Sequence, residues 1–260
     1  MNIIAIIQAR FDSVRLPGKI LLNLEGKTVL ERVVERVKQS KFINDVIVAT
    51  TVTKHDLETI KVCVENNIRV FAGAEDDVLD RYYQVAKLFK VDHIVRITAD
   101  CPLIDPRIID EVINLHIKET ADYTTNTIKE SFPDGQDVEV FKFSVLQQAW
   151  QNAKLVSERE HVTPYIRNNP GIFKLKNLEC KEDLSRKRWT LDHPEDYDFI
   201  KIVYEHLFSK NPYFGFDEIM GFIKKNPEIE KVNQRITRNE GYSKSLKEDR
   251  VLDFELPKGE

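Results

Sequence analysis

Three basic side chains are concentrated in a short loop near the start of the chain. Residues 8–19 read Gln-Ala-Arg-Phe-Asp-Ser-Val-Arg-Leu-Pro-Gly-Lys, which places Arg10, Arg15 and Lys19 within ten positions, with Ser13 between them. A loop that follows a strand exposes backbone N–H groups, which together with basic side chains can bind phosphate. From these residues alone, a phosphate-binding loop and a solvated basic loop are equally good interpretations. The glycine spacing excludes a Walker A loop.

A second candidate group is the acid that follows another apolar segment. Asp100 lies just after the run Asp92–Thr98 and shortly before Pro102. Mg²⁺ typically takes one or two carboxylates together with phosphate oxygens, so a carboxylate at a strand end could hold it. A cap on the turn before Pro102 explains Asp100 equally well.

Three acids lie in or just after the turn Phe132-Pro133-Asp134-Gly135. On an alternating strand Asp137 and Glu139 point to the same side, and like charges on one face repel each other. We therefore expect Asp134, Asp137 and Glu139 to meet a cation, an amino group or sugar hydroxyls, with solvent exposure as the equal alternative.

Short apolar runs alternate with amphipathic stretches over the first 115 residues, which predicts βαβ units and a mostly parallel sheet covered by helices on both faces. In such sheets ligands bind at the carboxyl ends of the strands. The predicted strands are Asn2–Gln8, Asp45–Thr51, Ile68–Phe71 and Asp92–Thr98, and the predicted helices are Thr28–Ser40, His55–Asn66, Asp76–Phe89 and Pro106–Lys118.

The alternation changes after about residue 120, but no linker separates the two parts. We expect one domain over residues 1–250, with a nucleotide-binding half (1–120), an acceptor and dimerisation half (121–250) and a loosely held tail (251–260). In the second half the predicted strands are Asp122–Asn126, Val138–Phe141, Ile172–Leu178 and Arg188–Leu191, and the predicted helices are Lys142–Ala153, Ser157–Asn168, Pro194–Phe208 and Phe216–Lys225.

The composition is that of an ordinary globular protein. The 260 residues are 42% hydrophobic and 32% charged, with a net charge of −4, which argues against a nucleic-acid binder. The apolar run Ile3–Ile7 is far shorter than the roughly 20 residues of a membrane span, and no basic segment precedes it as in a signal peptide. The three widely spaced cysteines indicate reduced thiols in a cytoplasmic protein.

The loop pattern Ala-Arg-x-x-Ser-x-Arg-Leu-Pro-x-Lys resembles the CTP-binding loop of the cytidylyltransferases that activate acidic sugars, such as CMP-KDO and CMP-sialic acid synthetases. The chain is most similar to their relatives, the spore coat polysaccharide biosynthesis protein F family, from residue 3 to about 250. Asp12 and Val14 depart from the glycine and threonine of many relatives. The later segments that carry this likeness are 132–141, 158–165, 188–192, 239–242 and 244–247.

The resemblance implies a three-layer nucleotide-diphospho-sugar transferase type (Rossmann-like) α/β fold. It also implies a homodimeric enzyme that uses CTP and Mg²⁺ to transfer CMP to an oxygen of a sugar, sugar acid or polyol acid, releasing pyrophosphate, in polysaccharide or glycan synthesis. Matching positions assign Ala9, Arg10, Ser13, Arg15, Lys19 and Arg81 to the nucleotide, with Arg10 and Lys19 catalytic, and Asp100 and Asp192 to the metal. The residues that we expect at the acceptor are the acids Asp134, Asp137 and Glu139 and, for an acid group on the acceptor, Arg159 and His161, for which helical surface charge is an equal alternative.

Three other functions remain open at this point. A glycosyltransferase of similar fold would usually carry Asp-x-Asp where this chain has Thr98-Ala99-Asp100. A sugar-1-phosphate nucleotidyltransferase usually has a more glycine-rich first loop, and a non-catalytic nucleotide-binding module would tolerate the loss of metal ligands. A preference for cytosine over uracil does not follow from the residues themselves.

Overall fold

A seven-stranded mixed sheet forms the middle of the molecule in the computed structural model, which describes residues 1–252. Its strand order is β5-β4-β1-β6-β8-β7-β9, with β1, β4, β5 and β6 mutually parallel and β8 antiparallel to both its neighbours. The strands are β1 (Ile3–Gln8), β4 (Asp45–Thr51), β5 (Arg69–Gly73), β6 (His93–Thr98), β7 (Tyr123–Thr125), β8 (Glu139–Lys142) and β9 (Leu175–Asn177), and a separate hairpin joins β2 (Asn23–Leu24) to β3 (Lys27–Thr28).

The helices cover both faces of this sheet or extend its edges. Alternate residues of β1 face opposite cores: Ile7 packs with residues of α1 and α4, and Ile6 with residues of α3 and α5. A strand buried on both faces needs a continuous apolar sequence, which β1 has. The helices are α1 (Val29–Val37), α2 (Asp56–Glu65), α3 (Val78–Leu88), α4 (Pro106–Lys118), α5 (Phe143–Asn152), α6 (Val156–His161), α7 (Pro164–Arg167), α8 (Pro194–Leu207), α9 (Phe216–Lys225) and α10 (Glu240–Lys247), with 3₁₀ turns at Lys19–Leu21 and Pro227–Val232.

The predicted three-layer α/β fold with a mostly parallel sheet is confirmed, and every strand and helix expected in the first half is present. Strands from the second half of the chain extend the same sheet. Among residues 1–252, no helix has the length and apolarity that a membrane crossing would need.

Three expectations for the second half differ from the structure. Arg188–Leu191 is not a strand, since its ladder contact is a single bridge between Arg188 and Asp134. The helix predicted over Ser157–Asn168 is interrupted at Val162, whose φ of +71° an α-helix cannot accommodate. The tail was predicted to be loosely held from residue 251, but Val251 forms an antiparallel bridge with Leu155. Residues 253–260 of the predicted tail lie outside the described part of the chain.

Candidate active site

A cavity of about 890 Å³ opens at the carboxyl ends of β1 and β6, where the parallel topology predicts a ligand. Its wall nearest the sheet is the basic loop, and its other wall is built from α6, α10 and the residues just after α10. The residues assigned to a site from sequence that line it are Ala9, Arg10, Ser13, Arg15, Lys19, Arg81, Asp100, His161 and Asp192.

The basic loop is folded back on itself by its own backbone. The carbonyl oxygen of Phe11 accepts hydrogen bonds from the N–H groups of Ser13 and Gly18, both at 2.9 Å. Gly18 has a φ of +69°, a left-handed conformation that favours glycine, and leads directly into the 3₁₀ turn that carries Lys19. The backbone N–H groups of Asp12 and Val14 make no hydrogen bond within residues 1–252 and lie in the cavity wall, as an anion site requires.

Lys19 joins the two predicted metal-binding carboxylates. Its buried Nζ donates to Asp100 Oδ2 and Asp192 Oδ1, each at 2.7 Å, and to the carbonyl of Leu191 at 2.8 Å. Arg15 reaches the same Asp192 oxygen at 2.8 Å. Two acids 92 positions apart and two cations of the loop therefore form one cluster in the cavity.

The proton affinities in this cluster follow from its geometry. Burial by itself would lower the pKa of Lys19, but Asp100 and Asp192 raise it above its ordinary value. Burial would raise the pKa of Asp192, whereas Lys19 and Arg15 hold it well below its usual range. Lys19 and Asp192 are thus both charged near neutral pH.

The position of Asp192 depends on a second network that the sequence did not indicate. Asp192 follows an extended segment whose Leu191 N–H donates to the carbonyl of Asp100 at 2.8 Å. The buried guanidinium of Arg188 contacts Asp134 Oδ2 and Asp196 Oδ1, both at 2.8 Å, and Asp192 Oδ2 at 3.4 Å. Asp196 caps the turn by accepting from the Asp192 N–H at 3.0 Å. Arg188 lies in the segment 188–192, which carries part of the family likeness, but that segment does not indicate which acids Arg188 contacts.

The carboxylate pair is compatible with Mg²⁺. Asp100 Oδ1 is contacted only weakly, by the Cys101 thiol at 3.6 Å, and Asp192 Oδ2 lies 3.4 Å from Arg188, so each acid keeps an oxygen that Lys19 does not use. Within residues 1–252 no group of three or more His, Cys, Asp or Glu side chains is arranged around a metal position. Two carboxylates that leave the remaining positions to phosphate and water are what Mg²⁺ commonly accepts in proteins.

The three acids of the predicted acceptor turn do not line the cavity. Asp134 is paired with Arg188, Asp137 Oδ1 accepts from Arg238 at 2.7 Å, and Glu139 Oε1 accepts from Arg96 at 3.1 Å. Each of the three acids is thus paired with an arginine of the protein itself, which offsets the repulsion expected between Asp137 and Glu139. Their role in acceptor binding stays a prediction, and the geometry gives each a structural partner.

Three other residues assigned from sequence, Arg159 and His161 to the acceptor and Arg81 to the nucleotide, have different positions. Arg159 does not line the cavity; its guanidinium is buried against Asp77, with Nε 3.0 Å from both carboxylate oxygens. Arg81 lines the cavity, but its Nη1 donates to the carbonyls of Ala74 and Glu75. His161 lines the cavity too. Burial lowers its pKa to about 4, which makes it a neutral hydrogen-bonding group at pH 7.

The wall formed by α10 was not assigned any function from the sequence. His161 Nε2 lies 3.0 Å from the Ser245 hydroxyl, and that hydroxyl donates to Glu160 at 2.7 Å. The polar sequence of α10 has no buried residue and hence no apolar periodicity that would have revealed its position. The residues of this segment that line the cavity are Glu240, Gly241, Lys244, Ser245, Glu248 and Arg250.

Comparison with known proteins identifies the family of this chain. The cytidylyltransferase family model matches residues 4–233. The chain is 34% identical over 234 residues to the spore coat polysaccharide biosynthesis protein SpsF of Bacillus subtilis (strain 168), covering 87% of this chain and 96% of that protein. It is 38% identical over 120 residues, 44% of each chain, to 3-deoxy-manno-octulosonate cytidylyltransferase of Pelobacter propionicus.

A solved structure shows the same fold over nearly the full length. The cytidylyltransferase from Leptospira borgpetersenii serovar Hardjo-bovis superposes with a TM-score of 0.85 at 37% identity, covering 91% of this chain and 98% of that one. The resemblance drawn from the loop and the later motifs is therefore confirmed. This chain belongs to the cytidylyltransferase family and is a nucleotidyltransferase.

Proposed function

We propose that this protein transfers CMP from CTP to an oxygen of a sugar acid or related polyol acid, releasing pyrophosphate, in the synthesis of a surface polysaccharide or glycan. The observation that carries the proposal is the convergence of Asp100 and Asp192 on Lys19 in a cavity lined by the basic loop. The name of the 3-deoxy-manno-octulosonate cytidylyltransferase supports an acidic sugar as acceptor, and the name of SpsF supports a role in polysaccharide synthesis.

The transfer needs positioning and neutralisation of charge more than covalent help from the protein. The acceptor oxygen forms a bond to the α-phosphorus as the bond from that phosphorus to the β-phosphate oxygen breaks. The hydroxyl proton passes to solvent in the cavity, and pyrophosphate leaves with the negative charge. Arg10, whose side chain has no partner within residues 1–252, and the free N–H groups of the loop bind the departing phosphates.

Asp100 and Asp192 would hold Mg²⁺ through the oxygens that Lys19 leaves available. The ion, when bound, neutralises phosphate charge and polarises the α-phosphate. Lys19 keeps the two carboxylates close together and offsets their mutual repulsion, while Arg15 restrains Asp192 from the solvent side.

The test is pyrophosphate release from each of the four nucleoside triphosphates in the presence of a panel of sugar acids, with Mg²⁺ titrated. We expect activity with CTP and an acid acceptor. Asp100→Asn and Asp192→Asn keep the shape but remove a ligand charge, so turnover should fall by about 100-fold or more and the Mg²⁺ concentration for half-maximal rate should rise.

Asp12→Asn is the matched control, since Asp12 lines the same cavity but pairs with His55 and not with Lys19. It should retain most of the activity. Release of a nucleoside diphosphate from a nucleotide sugar, with no pyrophosphate from CTP, would identify a glycosyltransferase and refute the proposal. Full activity in Asp192→Asn would remove that residue from the metal site.

A further inference from the structure

We propose that α10 and the residues just after it form the subsite for the acidic group of the acceptor, with Lys244 and Arg250 as its cations. The inference rests on the proposed function, because it names the part of the cavity that selects an acid. No motif and no relative assigns these two residues a role.

Charged residues at a spacing of four face the cavity from α10 and its C-terminal end. Glu240, Lys244 and Glu248 are spaced four residues apart, so they lie above one another on one side of the helix, and all three line the cavity. Lys247 belongs to the same helix but does not line the cavity. Lys244 and Lys247 therefore differ in what they face, not in residue type or element.

Lys244 and Arg250 are available to a ligand. Within residues 1–252 neither side chain makes a hydrogen bond or an ion pair, whereas Arg15 and Lys19 on the opposite wall are both engaged by Asp192. The acids Glu160, Glu240 and Glu248 line this wall too; Glu160 accepts a hydrogen bond from Ser245, and Glu240 lies 3.0 Å from His193. Among the described residues of this wall, Lys244 and Arg250 are therefore the basic side chains that remain available to an anion.

The wall is fixed in place without an apolar core. Ser245 ties it to His161 and Glu160, and Ser157 Oγ donates to Asp249 at 2.6 Å. An antiparallel bridge joins Val251 to Leu155, and the carbonyl of Arg250 accepts from the Val156 N–H at 3.0 Å. These contacts place Arg250 and α6 side by side at the cavity, so a bound acid meets a positioned cation and not a mobile tail.

The far wall and the phosphate loop come from different halves of the chain. The loop residues that line the cavity precede position 21, and the α10 wall follows position 239. With the triphosphate charge directed to the loop and the carboxylate pair, a second set of cations is left for a second anion. A carboxylate on the acceptor fits this set, and a neutral sugar would leave both cations without a partner.

A binding measurement tests the subsite independently of turnover. The wild-type protein is labelled with an amine-reactive reagent, and modification of Lys244 and Lys247 is quantified by mass spectrometry. The samples contain CTP alone, CTP with each acid of a panel of aldonic, uronic and 3-deoxy-ulosonic acids, or CTP with the corresponding neutral sugars. We expect at least one acid to protect Lys244 and leave Lys247 reactive.

The outcomes separate the subsite from the proposed function. Protection by an acid supports the subsite even if no acceptor is turned over, which would refute the transfer reaction alone. Protection by CTP alone would assign Lys244 to the triphosphate and overturn the inference. So would equal protection by neutral sugars, or no protection by any acid.

A kinetic comparison tests Arg250 as well. With an acid acceptor that is turned over, Lys244→Met and Arg250→Met should each raise the acceptor KM by about tenfold, because a charge-assisted hydrogen bond contributes at least that much to affinity. The CTP KM and the melting temperature should stay close to wild type. The matched control Lys247→Met should leave the acceptor KM unchanged, and an equal rise in all three variants would contradict the proposal.

Discussion

Lys19 is the residue at which the two halves of the chain meet. Its ammonium group is buried and its three protons are all donated, two to carboxylates and one to a carbonyl. A buried charge is tolerated only when it is paired and hydrogen-bonded. With Arg15 beside it, the cluster has two positive and two negative charges, so it is balanced before any ligand adds phosphate.

The role of Asp134 differs from its predicted one. Its carboxyl group was predicted to bind the acceptor, but it is buried and paired with Arg188. Burial and the nearby Asp137 raise the pKa of Asp134 to about 7, so its carboxyl group is only partly ionised at neutral pH. We expect Asp134→Asn to lower the free energy of unfolding by only about 1 kcal/mol, because the Asn carbonyl can still accept from Arg188. Chemical denaturation measures the loss, and the acceptor KM should stay unchanged. A raised acceptor KM with wild-type stability would restore the original hypothesis.

The turn before β8 and the extended segment before Asp192 position the site together. Asp134 N–H donates to the carbonyl of Lys187 at 2.9 Å, and Trp189 N–H donates to the carbonyl of Asp134 at 2.7 Å. Between them Gly135 has a φ of +101°, and a Cβ there would lie 2.6 Å from the carbonyl carbon of Trp189. Only glycine lets these two backbones approach so closely.

Gly135→Ala is therefore expected to destabilise the protein by at least about 2 kcal/mol, from backbone strain and the clash with Trp189. Because the displaced segment carries Asp192, turnover should fall as well. Thermal unfolding and pyrophosphate release measure the two effects. The control is Gly221→Ala in α9, where a Cβ meets nothing within 4 Å, and where alanine should stabilise the helix by roughly 0.5–1 kcal/mol. Similar stability in both variants would disprove the close approach.

At the scale of the whole molecule, a contact between the buried His116 and the half-buried His93 links α4 to the sheet. His116 Nε2 lies 3.0 Å from His93 Nδ1, and His116 Nδ1 lies 3.0 Å from the Thr124 hydroxyl. Burial, together with the nearby His93 and Lys142, lowers the pKa of His116 to about 3 against the opposing effect of Asp122. The folded protein thus keeps this histidine neutral where the unfolded chain would protonate it.

Stability should depend on pH in a defined direction as a result. Between pH 6.5 and about 3 the unfolded chain binds the extra proton, so acid favours unfolding. His116 alone should lower the free energy of unfolding by about 2 kcal/mol when the pH falls from 7 to 5. Urea unfolding across this range should show a steeper loss for wild type than for His116→Gln. His206→Gln, at an exposed histidine, should keep the wild-type profile. Parallel profiles for wild type and His116→Gln would contradict the assignment.

The sequence by itself determined the first half of the fold and the identity of the basic loop. Apolar periodicity encodes which face of a strand or helix is buried, so Asp45–Thr51 and Pro106–Lys118 are found at their predicted limits. The loop residues are close in sequence, and their proximity to one another needs no tertiary contact. The family resemblance then indicated Asp100 and Asp192 as a pair.

The tertiary structure decided which polar groups meet. Arg188 pairs with Asp134, Asp137 pairs with Arg238, and Lys19 pairs with both acids of the predicted metal site. These partners are far apart in the sequence, so no local sequence pattern predicts the contacts. Asp192 reaches the site although its segment is not a strand, because the backbone hydrogen bond from Leu191 to Asp100 holds that segment there. The polar helix α10 buries no residue, so only its contacts with α6 and the site residues determine that it faces the cavity. The periodic spacing of apolar residues in the sequence predicts which faces are buried, whereas the pairing of charges depends on which residues the completed fold brings together.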